Sequence, residues 1–257
     1  MKKKTIFEFE NDDVRFYIHE NTAVINIHSN AFECLADPEK SGQLLSLFDW
    51  VENDPVVKSL MLINEPNVFN KENIFKFLKT VFKTDENGNI TNVIPSDKKV
   101  IRARQLNSFR NIVMKMIDYK KLLFSALHGD CVTPIFGMSL AADFRLASEN
   151  MKFVLFHNET GTHPAGALPF FLPLYTSRGK AMEILIKCSD IPAHEAKQIG
   201  VINEILPNAD FEQHCLEKIN QYSQIHPATL VLTKRLSFSF KMELEQYFEA
   251  ESKMLGY

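Results

Sequence analysis

Apolar runs separated by short polar breaks are most distinct in the middle of the chain. The segment Leu122–Gly129 is an apolar run that ends at a glycine, which predicts a short buried strand. A loop follows and closes on Thr133 and Pro134, a helix-start signal, because threonine caps free N–H groups and proline is tolerated in the first turn. The apolar run Ile135–Ala142 then predicts a buried helix, and Asp143–Ser148 predicts the strand after it.

The regions on either side carry the same kinds of pattern. Period-two alternation predicts strands, and apolar residues at helical spacing predict amphipathic helices. The predicted strands are Val14–His19 and Thr22–Ile27, paired as a hairpin, and Val56–Ile63, and the predicted helices are Gln43–Glu52, Ile74–Phe82 and Leu106–Ile117. Residues 83–99, which include the polar run Asp85–Asn89 and Pro95, predict a mobile loop. Leucine and phenylalanine recur every four residues from Leu232 to Phe248, which predicts one long C-terminal helix.

The composition fits one domain with a full hydrophobic core, since 45% of the 257 residues are hydrophobic. The formal net charge of −3 gives no case for nucleic acid, and no basic patch carries interleaved aromatic residues. The apolar segment Ala167–Leu174 is too short to cross a bilayer, and the basic N-terminus is not followed by an apolar signal core. We therefore expect neither nucleic acid nor a membrane as a partner.

The cysteines are widely spaced, and none belongs to a C-x-x-C pair. They are Cys34, Cys131, Cys188 and Cys215. This spacing is typical of reduced thiols in a cytoplasmic protein and predicts no metal site.

Several motifs follow one another in an order that resembles a known family. The first set, with the patterns A-x-x-G and A-D-x-R-x-A, consists of Ala126, Gly129, Ala142, Asp143, Arg145 and Ala147. The second set consists of a turn from Gly161 to Gly166 with Pro164 inside it, a G-x-x-A-x-E-like helix at residues 178–183, and the segment Ile191–Pro207. Together these motifs resemble the enoyl-CoA hydratase/isomerase superfamily, also called the crotonase superfamily, over most of the chain.

The resemblance implies an α/β fold, in which a crotonase-type spiral of ββα units is followed by a C-terminal helical trimerisation region. We place the spiral core at residues 1–195 and the helical region at residues 196–257, as parts of one continuous structural domain. The long C-terminal helix would supply the contacts of a homotrimer or a hexamer.

The resemblance also implies where the chemistry would lie, and there the residues depart from the family pattern. Hydration of an enoyl thioester needs a base that activates water and an acid that protonates the α-carbon, and family hydratases supply both as glutamates. The corresponding positions hold Gly137 and His157. We therefore expect a divergent member without ordinary hydratase or isomerase activity.

Two residues are candidate catalytic replacements for these carboxylates. The imidazole of His157 titrates near neutral pH, and Glu159 lies two residues further on, where it can turn toward the same pocket. In the alternative interpretation, His157 lies beside Phe153 and Phe156 as a packed, hydrogen-bonded core residue. The sequence leaves both interpretations open.

Family enzymes polarise the thioester carbonyl with two backbone N–H groups, which form an oxyanion hole. Pro134 takes the place of the second donor but has no N–H, so the first-turn amide of Ile135, or that of Phe136, becomes the candidate. Glu72 takes the place of the first donor, although its segment is more typical of an ordinary polar loop before a helix. Pro134 and Gly137 then mark the predicted pocket.

Recognition of coenzyme A is also altered. The family loop that meets coenzyme A usually carries an arginine, whereas the loop at Ser29–Phe32 is short and lacks it. The expected partner is an acyl-CoA or acyl-carrier thioester, with coenzyme A as part of the substrate and no separate cofactor. Three function classes remain: a divergent thioester enzyme, an inactive paralogue that binds an acyl ligand or partner, and a structural subunit. An open pocket beside His157 favours the first, a pocket without convergent polar groups the second, and a filled pocket the third.

Overall fold

The computed structural model describes residues 8–222, 225–237 and 240–254. In this part of the chain the strands are β1 Phe9–Glu10, β2 Val14–His19, β3 Thr22–Ile27, β4 Ser59–Asn64, β5 Leu122–Leu127, β6 Asp130–Val132, β7 Phe144–Ser148, β8 Lys152–Val154, β9 Ile191–Pro192 and β10 Glu204–Leu206. Seven strands form one sheet in the order β1-β2-β3-β4-β5-β7-β10. The other three form a small sheet in the order β6-β8-β9.

Helices surround and separate the two sheets. They are α1 Ala31–Ala36, α2 Pro38–Asn53, α3 Lys71–Lys79, α4 Lys99–Asp118, α5 Thr133–Ser139, α6 His157–Thr160, α7 Leu168–Tyr175, α8 Arg178–Lys187, α9 Ala193–Gln198, α10 Phe211–Asn220, α11 Pro227–Ser237 and α12 Lys241–Met254. A short 3-10 turn at Ser96–Lys98 leads into α4.

The large sheet begins as a hairpin and continues as parallel strands. β2 and β3 pair antiparallel, and Glu20 in the turn between them has a φ of 53°. The hairpin predicted for these residues is confirmed. From β3 onward the pairs β3–β4, β4–β5, β5–β7 and β7–β10 are parallel. Every residue of β3 and β5 is buried, as expected for central parallel strands covered on both faces.

The helix α5 is the most deeply buried helix near the carboxyl ends of these strands. All seven of its residues are buried, and the ring of Phe136 stacks on Phe153 of β8 with centroids 3.7 Å apart. The helix begins at Thr133, two residues before the predicted start. The residues predicted as the loop before it include a strand, β6, because residues 130–132 pair in parallel with β8.

The predicted loop at residues 83–99 contains a small organised turn. Thr84 and Ile90 form an antiparallel bridge, and Ile90 is buried. Within the turn, the Asp85 carboxylate accepts hydrogen bonds from the N–H groups of Asn87 and Asn89 at 2.9 and 2.8 Å. The mobility of this segment stays a prediction.

The C-terminal region corrects one expectation. The prediction of one long helix from Leu232 to Phe248 is wrong, because α11 and α12 are separate and Phe240 lies in a turn before α12; residues 238 and 239 of the predicted helix lie outside the described residues. The four-residue spacing persists within each helix, but the apolar residues of the two helices differ in burial. Leu244 and Phe248 are buried, whereas Leu232 and Leu236 of α11 are exposed. Residues 196–257 also supply β10 to the large sheet, and the division at residue 195 stays a prediction.

Candidate functional site

Two glycines bring α5 into direct backbone contact with the segment before α7. A Cβ atom on Gly137 would lie 2.2 Å from the carbonyl oxygen of Gly166 and 2.8 Å from the backbone nitrogen of Leu168. A Cβ atom on Gly166 would lie 2.2 Å from the carbonyl oxygen of Pro134. Gly166 also has a φ of 75°, which glycine adopts readily. The backbone of residues 166–168 therefore fills the space beside Gly137.

His157 begins the short helix α6 and is only 5% exposed. Its Nε2 lies 2.7 Å from the carbonyl oxygen of Leu185, and its Nδ1 lies 3.5 Å from the Sγ of Cys188. Burial lowers the pKa of His157; the Leu185 hydrogen bond partly offsets this, and nearby His163 adds to it. Both ring nitrogens thus have protein partners. This geometry fits the packed-histidine interpretation, and a catalytic role stays a prediction.

Glu159 lies on the same short helix but faces the surface. Its side chain is about half exposed, and its carboxylate lies 2.5 Å from the Nζ of Lys71 at the start of α3. The Lys71 Nζ also lies 5.5 Å from the centroid of the Phe75 ring. The two catalytic candidates therefore have separate partners: His157 has them inside the protein and Glu159 at its surface.

Glu72 is the second residue of α3, and its side chain also points into solvent. Its carboxylate lies 2.6 Å from the Nζ of Lys76, and that hydrogen bond lowers the pKa of the exposed carboxyl. The helix is capped by Asn70, whose side-chain oxygen accepts from the N–H of Asn73 at 2.9 Å. The Glu72 backbone N–H belongs to the first turn, which lacks intrahelical acceptors. The carboxylate of Glu72 is therefore paired with Lys76 at the surface, whereas the backbone N–H of Glu72 lies in the first turn of α3.

Ile135 is the third residue of α5, so its N–H also belongs to a first helical turn. The backbone N–H of Val132, just before α5, donates to the carbonyl oxygen of Phe69 at 3.1 Å. Phe69 lies just before the Asn70 cap of α3. This hydrogen bond thus joins the segments that lie immediately before the N-termini of α3 and α5.

An apolar cavity of about 50 Å³ lies at the carboxyl ends of β3, β4 and β5, on the side of α5 that carries Ile135. Its apolar lining includes Ile27, Leu62, Phe69, Ile112, Ile135 and Met138. Small-molecule pockets usually have volumes of roughly 300–1,000 Å³. The cavity is therefore well below the size of a typical ligand pocket.

Two of the polar side chains that line this cavity, those of Asn64 and Ser139, hydrogen-bond to the backbone. The Asn64 amide donates to the carbonyl oxygens of Glu65 and His128 at 2.9 and 2.8 Å, and its oxygen accepts from the His128 N–H at 3.2 Å. The hydroxyl of Ser139 donates to the carbonyl oxygen of Phe136 at 2.7 Å. The described residues that line the cavity include no ionisable side chain. The lining therefore offers no ionisable side chain that could act as a general acid or base.

Comparison with known families decides the membership of the chain. The model of the enoyl-CoA hydratase/isomerase family matches residues 88–257, which is more than half of the sequence. The chain belongs to this family.

Solved structures of the family have the same fold. An enoyl-CoA hydratase from Bacillus halodurans superposes with a TM-score of 0.76, covering 94% of this chain and 93% of that one at 22% identity. At such low identity, the likeness shows the fold alone. It confirms the predicted crotonase-type α/β fold with its C-terminal helices.

Curated relatives are also distant. An uncharacterised protein of Caenorhabditis elegans is 25% identical over 55% of this chain and 56% of its own length. The human chromodomain Y-like protein is 25% identical over 63% of this chain and 27% of its own length. The chain spans about half or less of the length of these relatives.

In this member of the enoyl-CoA hydratase/isomerase family, the A-D-x-R motif holds the fold together. The buried guanidinium of Arg145 donates to the carbonyl oxygens of Val201 and Ala142, each at 2.8 Å. The carboxylate of Asp143 accepts from the ammonium group of Lys234 at 2.8 Å, and both side chains are about nine-tenths buried. The motif therefore anchors α11 and the segment before β10 to the large sheet.

In residues 8–222, 225–237 and 240–254, no group of three or more His, Cys, Asp or Glu side chains is arranged to hold a metal ion. In the same ranges, no helix combines the length and the apolar character that crossing a bilayer requires.

Two features of the site are not evident from the sequence patterns. In the sequence, Gly166 is part of a turn motif. That a glycine also stands at this position is a sign that another backbone segment approaches it closely. Cys188 gave no signal, because its contact with His157 joins residues 31 positions apart. Such contacts depend on how α6 and α8 pack.

Proposed function

We propose that this protein is a family member without hydratase activity, which serves as a binding or structural subunit of an oligomer. The contact between Gly137 and Gly166 carries the proposal. In the family pattern a catalytic glutamate would stand at position 137. Here the carbonyl oxygen of Gly166 lies where even the first side-chain carbon would have to be.

The surroundings of Gly137 make this arrangement hard to relax. The obstructing atoms belong to the backbone of Gly166 and Leu168, which cannot rotate away as a flexible side chain can. At the second position, His157 uses one ring nitrogen on Leu185 and the other on Cys188. Both positions that hydration would need are thus occupied by fold-building contacts.

An oligomeric role fits the exposed face of α11. Leu232 and Leu236 stand one helical turn apart and are 60% and 80% exposed in the single chain. Apolar surface of this kind commonly marks an interface. We propose that α11 and α12 contribute to a homotrimer or a hexamer, as the family resemblance implies.

We also propose a cytoplasmic location, which the cysteines support. All four are free thiols, and three of them are buried. Free thiols persist in reducing compartments, whereas oxidising compartments favour disulfides.

Turnover of crotonyl-CoA tests the proposal. Loss of the enoyl-thioester absorbance is followed with the purified oligomer at high protein concentration, and a flat trace is expected. Sustained hydration at rates typical of enzymes would overturn it.

A second candidate function is binding of an acyl-CoA or acyl-carrier thioester without hydration. The observation that favours it is the Val132–Phe69 hydrogen bond, which holds the N-terminal ends of α3 and α5 together. The first-turn N–H groups of Glu72 and Ile135 would then receive the thioester carbonyl. The neighbouring cavity of about 50 Å³ would have to widen for anything beyond a very short acyl group.

Thermal denaturation with acetyl-CoA separates the two candidates, with free coenzyme A as the matched control. A ligand that binds only the folded state raises its stability in proportion to the logarithm of its concentration. A melting temperature that rises with acetyl-CoA but not with coenzyme A supports the second candidate. An unchanged melting temperature supports the first.

A further inference from the structure

Cys188 and His157 form a thiol–imidazole pair outside the apolar cavity. We propose that this pair is a thiol modification site, which takes low-molecular-weight disulfides by thiol–disulfide exchange. The inference concerns the reactivity of the contact between His157 and Cys188, and it stands whether or not the protein handles acyl thioesters.

The hydrogen bond to Leu185 fixes the tautomer of the histidine. A carbonyl oxygen only accepts, so the Nε2 of His157, 2.7 Å away, carries the proton in the neutral ring. The Nδ1 is then the unprotonated ring nitrogen, which can accept a proton from the thiol of Cys188, whose Sγ lies 3.5 Å away. Nucleophile, base and a third group that orients the base are therefore in line, which is the arrangement that activates cysteine nucleophiles.

The backbone of Cys188 holds the thiol in this place. Cys188 is the C-cap of α8 and has a φ of 53° and a ψ of 39°, a left-handed conformation that glycine or asparagine usually adopts at helix ends. A residue with a Cβ costs roughly 1 kcal/mol there. The N–H of Cys188 still donates to the carbonyl oxygen of Ile184 at 3.0 Å, so the helix end is intact. Where a glycine would place no side chain, the strained Cys188 places a thiol against the imidazole of His157.

The other three cysteines provide internal controls. Cys34, Cys131 and Cys215 are buried, whereas Cys188 is partly exposed. Burial raises the pKa of the Cys34 thiol to about 12 and raises the pKa values of the Cys131 and Cys215 thiols as well. Only Cys188 among the four combines access with a neighbouring base.

The exchange is balanced within the pair and its co-reactant. As the Cys188 sulfur attacks one sulfur of the small disulfide, its proton moves to the Nδ1 of His157. A new disulfide joins Cys188 to one half of the reagent, and the S–S bond of the reagent breaks. The other half leaves as a thiolate, which takes the proton from His157 or from water. No electrons enter or leave the system.

The charged groups around His157 decide how the reaction depends on pH. On its own helix, Glu159 is paired with Lys71 at the surface. On α8, Lys187 is paired with Glu183 at 2.6 Å. On the loop after α6, His163 disfavours a charged His157. Because burial and His163 lower the pKa of His157, the neutral ring that acts as base persists below pH 6.5.

The experiment uses the full chain and dithiobis(nitrobenzoate), a coloured aromatic disulfide, at pH values from 6 to 8.5. One fast thiol per native chain is expected, against four after denaturation. Peptide mapping should place the fast label on Cys188, and the Cys188→Ser variant should lose the fast phase. Glutathione disulfide should likewise add a single glutathionyl group at Cys188. Absence of a fast thiol, or a fast thiol at another cysteine, would overturn the proposal.

The pH profile of the fast rate tests the role of His157. An unassisted thiol slows roughly tenfold for each pH unit below about 8.5. The wild-type rate should fall less than about threefold from pH 8 to pH 6.5, and the His157→Gln variant should restore the steep fall. If that variant does not fold, the wild-type profile decides alone. A steep wild-type profile would exclude His157 as the base.

Discussion

The Cβ position of Gly137 lies 2.2 Å from the carbonyl oxygen of Gly166. The same two residues occupy a helix and a turn that are 29 positions apart in the sequence, and their backbones meet without an intervening side chain. A glutamate at position 137, as the family hydratases are expected to have, would require these two segments to separate. The position of Gly137 therefore leaves no room for a carboxylate side chain in this arrangement of the two segments.

Gly137→Ala should lower the free energy of unfolding by about 2–3 kcal/mol, because a methyl group would overlap backbone atoms of a packed segment. Urea denaturation followed by circular dichroism measures the change. Gly42→Ala is the matched control, since Gly42 is a helical glycine with no atom within 4 Å of its Cβ position. That variant should gain about 0.5–1 kcal/mol. Equal stability of Gly137→Ala and the wild type would contradict the observed contact.

Lys234→Met should cost about 3–5 kcal/mol, because it leaves the buried carboxylate of Asp143 without its ammonium partner. The double variant Asp143→Asn/Lys234→Met removes both charges and should recover part of that loss. Lys76→Met serves as a control, because the pair of Lys76 and Glu72 is exposed and contributes little. A Lys234→Met protein as stable as the control would show that the pair does not anchor α11.

Stability should decrease as the pH falls from about 6.5 toward 5, in part through His157. Burial lowers the folded-state pKa of this ring, so between the folded and unfolded pKa values the unfolded state binds more protons. The stabilising contribution of the neutral ring is complete above the unfolded pKa and is lost below it. His157→Gln should flatten this part of the pH profile, and His194→Gln, at an exposed position, should not. His128, whose pKa burial also lowers, accounts for a further share of the slope.

Leu236→Ser should weaken or abolish the proposed oligomer, because Leu236 is 80% exposed in the single chain and stands on the apolar face of α11. Light scattering after size exclusion should give the wild type a mass of about three or six times 29.5 kDa. The mass of the variant should shift toward that of a single chain. Ile186→Ser on α8 is the control, with a similarly exposed side chain that should leave the mass unchanged. A monomeric wild type would reject the assembly and leave the fold intact.

Sequence patterns predicted those elements whose stability is local. The hairpin of β2 and β3 was predicted to the residue, because alternation along each strand and a two-residue turn define it. The start signal at Thr133 and Pro134 located α5, whereas β6 was missed because three residues are too few to show a period. The prediction of a single C-terminal helix was wrong because the spacing within Leu232–Phe248 carries no information about the turn at Phe240.

The candidate site was less predictable, because its decisive contacts are tertiary. The sequence indicates that positions 137 and 157 lack carboxylates. It does not indicate that backbone fills the space beside Gly137, or that Leu185 and Cys188 take both nitrogens of His157. These facts require the packing of α5 against residues 166–168 and of α6 against α8.

The most direct measurement of the central claim is the hydration of crotonyl-CoA by the wild-type oligomer, with a medium-chain enoyl-CoA in parallel and an active hydratase added at the end as a positive control. Because the space for one carboxylate is filled and the second position holds an engaged histidine, the absorbance should stay flat until the control enzyme is added. Turnover near ten per second, the typical rate for an enzyme, would contradict the account.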